Sequence, residues 1–67
     1  MEYYYYVSMI QWDGFYPSAI FKSNVEIKND FVVVKYNGYN RMARICHQVN
    51  KPSFECKEII KEIIIEE

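Results

Sequence analysis

The sequence predicts an α+β fold: a four-stranded antiparallel β-meander, flat or curled into a small barrel, with one C-terminal helix packed on the sheet. Three observations predict it. Runs of β-forming residues are punctuated by two-residue turn signals, Asp13-Gly14, Asn29-Asp30 and Asn37-Gly38. The last two of these set a register that gathers most of the apolar residues on one face. Beyond Pro52, apolar residues recur at helical spacing instead.

The first strand, about residues 2–10, contains Tyr3-Tyr4-Tyr5-Tyr6-Val7, all β-favouring. Tyr3, Tyr5, Val7 and Met9 face one way, and Tyr4, Tyr6, Ser8 and Ile10 the other. Both sets are bulky and apolar, so the alternation does not choose the buried one. A central strand or a homodimer seam has this character. The connection that follows holds Trp12, Phe15 and Tyr16 around the Asp13-Gly14 turn, and Pro17 then opens the second strand.

The second strand, about 18–28, alternates Ala19, Phe21, Val25 and Ile27 with Lys22, Asn24, Glu26 and Lys28. A two-residue turn at Asn29-Asp30 pairs Ile27 with Val32 and Val25 with Val34. The third strand, 31–36, and the fourth, 39–49, meet at Asn37-Gly38. A type I′ turn there pairs Tyr36 with Tyr39, Val34 with Arg41 and Val32 with Ala43. The two turns together align Val25, Ile27, Val32, Val34, Tyr36, Tyr39, Ala43 and Ile45. The opposite face receives Glu26, Lys28, Phe31, Val33, Lys35, Asn40, Met42 and Arg44. A slip of one residue at either turn scatters both sets.

Ser53 is a suitable N-cap for a helix over about 54–65, with Glu55 in its first turn, where the helix dipole favours an anion. Cys56, Ile59, Ile60, Ile63 and Ile64 form its apolar stripe, against Lys57, Glu58, Lys61 and Glu62. The alternative is a final strand over Ile63-Ile64-Ile65, because β-branched side chains weaken a helix.

A 67-residue chain is read as one small domain, residues 1–67, with a marginal core. Aromatic residues, at 18%, offset the small size. The formal net charge of −1 gives the whole molecule no general attraction to nucleic acid or anionic membrane. No apolar run approaches the ~18 residues of a membrane span, and no secretory signal pattern opens the chain. A cytoplasmic location is the default. The abundance of Ile, Asn, Lys and Tyr suggests an AT-rich genome, such as that of a low-GC bacterium or its phage.

Chemistry finds little support. Cys46, His47 and Cys56 lack the spacing and the fourth ligand of a zinc site. Cys46 and His47 are neighbours in a strand, where alternation points them apart, against a Cys-His catalytic pair. Cys56 sits in the Ile stripe, which favours burial. No catalytic residue, metal ligand or cofactor is assigned.

Binding is the expected role. Phe31, Val33 and Met42 form an apolar patch on the non-core face, with Lys35 and Arg44 beside it. Trp12, Phe15 and Tyr16 add interface-type anchors from the first connection. The leading expectation is a non-enzymatic protein-binding module, with a host protein or a second copy as partner. A phage or mobile-element inhibitor that occludes its target is one form of it. The second is a single-strand nucleic-acid binder using Phe31, Lys35 and Arg44, to which Glu26 on the same face is an obstacle. The third is a subunit of an obligate complex.

Overall fold

In the computed structural model, which describes residues 1–10 and 17–64, the chain forms five strands. These are β1 (Tyr3–Met9), β2 (Ser18–Ser23), β3 (Phe31–Tyr36), β4 (Tyr39–Val49) and β5 (Lys61–Ile63). They make one antiparallel sheet in the order β2-β1-β4-β3-β5.

The β3–β4 hairpin follows from its turn. Asn37 and Gly38 have φ of 52° and 81°, the two positive values a type I′ turn requires. The turn imposes Tyr36 opposite Tyr39, Val34 opposite Arg41 and Val32 opposite Ala43. The register is the one the Asn-Gly signal predicts.

The second expected hairpin does not form, and the sheet is not a meander. β2 stops at Ser23, five residues short of the expected end. The Ser23 hydroxyl donates to the Val25 carbonyl at 2.7 Å and accepts the Val25 N–H at 3.2 Å. This local bond pair bends the chain out of the strand and leaves Val25 58% exposed. Residues 24–30 then carry Ile27 back to the core, where its N–H donates to the Tyr5 hydroxyl at 2.9 Å. β2 pairs with β1 alone among the strands, and β1 takes the central place between β2 and β4.

The C-terminal helix is also absent. Among the described residues there is no helix, and the segment expected to be helical is extended. It occupies the edge of β3 that the missing hairpin leaves open. Ile63 pairs with Phe31 and Lys61 with Val33, and the Ile60 N–H donates to the Val33 carbonyl at 2.9 Å. A few residues earlier the same segment meets the opposite edge of the sheet. The Lys22 N–H donates to the Lys57 carbonyl and the Ile59 N–H to the Lys22 carbonyl, at 2.9 and 2.8 Å, around a parallel bridge between Lys22 and Glu58. Residues 57–63 therefore touch both outer strands and close the sheet on itself. Two open edges each offered hydrogen-bond partners, and β-branched isoleucines suit a strand better than a helix. The supposed stripe is split accordingly: Cys56 is buried, Ile59 packs on the core, and Ile64 is exposed.

The core lies inside this closure. Tyr5, Val7 and Met9 of β1, Phe21 of β2, Val32 and Val34 of β3 and Ala43 of β4 are buried together. Tyr3, Ala19, Ile27, Tyr36, Ile45 and Ile59 pack around them. The odd-numbered side of β1 is thus the inner one. Val7, Met9, Val32 and Val34 are fully buried, each stabilising the fold by about 1.5–3 kcal/mol. Of the eight residues expected on the core face, Val25 and Tyr39 are exposed instead.

Candidate functional site

Strand alternation that sends the odd residues of β1 inward sends another set outward. The pairings place Phe31, Val33 and Lys35 of β3 beside Met42 and Arg44 of β4. Phe31 lies opposite Arg44, and Val33 opposite Met42. These are the five sheet residues singled out by the sequence, and the fold brings them together. Val33 and Phe31 are half-buried, while Lys35, Met42 and Arg44 are exposed. Trp12, Phe15 and Tyr16, with the Asp13-Gly14 turn, lie outside the described residues.

Neighbouring strands enlarge the face. Ser8 of β1 lies opposite Arg44. Ile10 follows, its N–H donating to the Met42 carbonyl at 3.0 Å, with its side chain exposed. On the other side β5 contributes Lys61 and Ile63, opposite Val33 and Phe31. Sequence reasoning named Ile10 and Ser8 only as one of two undecided faces. It lost Lys61 and Ile63 to the helix. A depression of about 530 Å³ is lined by Ser8, Ile10, Phe31, Arg44, Ile45 and Cys46.

A β-bulge in β4 shapes one end of this surface. Val7 pairs with Ile45 but Tyr6 with His47, so Cys46 is the extra residue. The bulge interrupts the strict alternation on which the separation of Cys46 and His47 was argued. Cys46 is exposed and lines the outer depression. His47, also exposed, stacks its ring on Tyr6 with centroids 5.3 Å apart and planes 26° from parallel. The stack puts a flat, partly accessible ring pair one strand away from the Phe31 row.

The charge on this face has one sign. Outward strand positions carry Lys22, Lys35, Arg44 and Lys61, the last three on β3, β4 and β5, and no Asp or Glu occupies any outward position of the five strands. Glu26, expected on this face, belongs to the 24–30 connection. Glu62 is on the inner side of β5, opposite Val32, and takes a hydrogen bond from the Asn29 amide. Among the described residues the ion pair joins the outward Lys22 of β2 to Glu2 at 3.5 Å, with two strands, β1 and β4, between β2 and β3. The Glu2 carboxylate holds the Lys22 ammonium above its ordinary pKa, against the opposing effect of desolvation.

The remaining titratable features do not assemble a reaction centre. The Cys56 thiol is buried, and desolvation pushes its pKa up, with Lys22 pulling the other way. A raised pKa means less thiolate and a poorer nucleophile. Among the described residues no group of three or more His, Cys, Asp or Glu is placed to hold a metal ion. Nor is any helix there long and apolar enough to cross a membrane. No protein family, curated protein or solved structure matches the chain.

Proposed function

We propose that this protein is a small, non-enzymatic binding module that holds an anionic macromolecular partner against its outer sheet face. One observation carries the reading: Phe31, Val33, Met42 and Ile10 form a continuous apolar surface crossed by Lys35, Arg44 and Lys61, with no carboxylate at the outward strand positions. Apolar area supplies affinity, and cations select an anionic partner and speed its approach. The mechanism is occlusion: whatever lies on the face is covered without being changed.

A protein partner with an acidic, apolar surface fits this description, in keeping with the leading expectation from sequence. Its support now rests on Phe31, Val33, Lys35, Met42 and Arg44. The face itself is tested by a charge reversal at its centre. Met42 is 47% exposed, so Met42→Glu leaves the core intact while placing an anion among the cations. Val25→Glu, in the 24–30 connection, is the matched control. Both variants and the parent chain are used as bait in a cell lysate, and bound protein and nucleic acid are quantified separately. Met42→Glu is expected to lose at least tenfold of the captured material and Val25→Glu none. Equal capture by all three would remove the outer face as the binding surface.

A further inference from the structure

Resting on that reading of the outer face, we infer that its partner is single-stranded nucleic acid. Three arrangements on the face favour it over the other occupants.

The first is the way charge and apolar surface are interleaved. An interface for a folded protein concentrates apolar residues at its centre and leaves charges at the rim. Here Arg44 stands inside the pattern, between Phe31 and Ser8, while Lys61 on β5 and Lys35 beside the Asn37-Gly38 turn bound it along β3. Arg44 is directly opposite Phe31, Lys61 directly opposite Val33, and Lys35 two residues on from Val33 along β3. A single strand presents the complementary alternation, a phosphate and then a base with an apolar π-face, one after another.

The second is the placement of rings. Phe31 opens β3 opposite Arg44, and the Tyr6–His47 stack lies further along β4, where it pairs with β1. Between them lies the depression lined by Ser8, Arg44 and Cys46. Two ring surfaces separated by a guanidinium form a platform on which successive bases stack while a phosphate is neutralised between them. Ser8 and Asn40, both outward, add neutral hydrogen-bonding groups.

The third weighs against a second copy of the chain. A twofold interface would lay this cationic patch on an identical cationic patch, with no carboxylate at an outward strand position of either to offset it, and like charges brought together repel. The net charge of −1 does not count against nucleic acid. Among the described residues no carboxylate stands at an outward strand position, and Lys35, Arg44 and Lys61 put positive charge where the strand would lie.

The test is fluorescence anisotropy with labelled oligothymidylate and oligouridylate, each of roughly 12 nucleotides, a length within the usual span of small-barrel sites. Binding is expected for single strands and not for a duplex of equal length. Its logarithm should fall with log salt at a slope of about −2, the value for three phosphates on a single strand. Lys35→Ala and Arg44→Ala should each reduce that slope by about 0.7. Phe31→Leu, which keeps apolar volume in case Phe31→Ala unfolds, should weaken binding about tenfold without changing the slope. Duplex binding equal to single-strand binding would overturn the inference, because it needs only charge. So would an absence of oligonucleotide binding at low salt. In that event an acidic polyglutamate-rich peptide is titrated next. If it binds the parent chain and not Met42→Glu, the nucleic-acid inference fails while the outer face stands. If it does not bind, both fail.

Discussion

At the scale of single residues, the fold depends on a few backbone commitments that side-chain burial does not explain. Gly38 is the clearest. Its φ of +81° is one that L side chains rarely adopt, and a Cβ built there meets nothing within 4 Å. The cost of Gly38→Ala is therefore conformational rather than steric crowding by neighbours, about 1–2 kcal/mol. Urea unfolding is expected to show that loss in the midpoint with an unchanged slope. An unaltered midpoint would mean that the turn does not hold the register. Ser23 makes an opposite commitment. In sequence it reads as one more position in an alternating strand. Its hydroxyl instead binds both polar groups of the Val25 backbone and ends β2. Nothing in the run Phe21-Lys22-Ser23-Asn24-Val25 distinguishes the two outcomes, because a serine in a strand and a serine in a local turn satisfy the same pattern.

At the scale of elements, the C-terminal segment decides the architecture. Ile59, Ile60, Ile63 and Ile64 fit a helical stripe, but four isoleucines spaced by three and one also fit an extended chain with one irregularity. Period alone could not separate them. What separated them was the need of β2 and β3 for partners, a tertiary fact that follows from the lost Asn29-Asp30 hairpin. The β3–β4 hairpin was legible because a two-residue turn with two positive φ values admits only one register. The core side of β1 was not legible, because Tyr4 and Tyr6 are as bulky as Tyr3 and Tyr5. The bulge at Cys46 leaves no sequence signal at all. The outer residues of β3 and β4 were found because they depend only on the legible hairpin. Lys61 and Ile63 were missed because they depend on the segment that was not. The closure has a direct consequence for amide exchange. The Ile59 and Ile60 N–H groups bond to carbonyls of Lys22 and Val33, on opposite edges of the sheet. Neither can be released without opening the closure and withdrawing Ile59 from the core. Their exchange is expected to require the same free energy as that of the central β1 amides, the signature of global unfolding. Exchange at a much lower free energy would show that residues 57–63 fray independently.

At the scale of the whole molecule, the distribution of charge constrains assembly. A chain of this size with apolar bulk on both sides of its first strand invites a homodimer as a remedy for a small core. The fold supplies another remedy. β1 is flanked by β2 and β4, its odd residues are inside, and residues 57–63 close the sheet, so both strand edges that would template a partner are engaged along part of their length. The apolar surface that remains, from Ile10 to Met42, Val33 and Phe31, is threaded by Arg44, Lys35 and Lys61. Two such charges brought to about 4 Å in a surface environment repel by about 4 kcal/mol, more than the burial of one exposed methionine returns. The chain is therefore expected to be monomeric by light scattering at low salt, where repulsion is least screened. A dimer at low salt that Met42→Glu dissociates would place self-association on the outer face and displace the anionic partner from it. A dimer that strengthens with salt and is indifferent to Met42→Glu would locate the contact elsewhere, on the exposed Tyr39, Phe54 or Ile64, and would leave the cationic face free for its ligand.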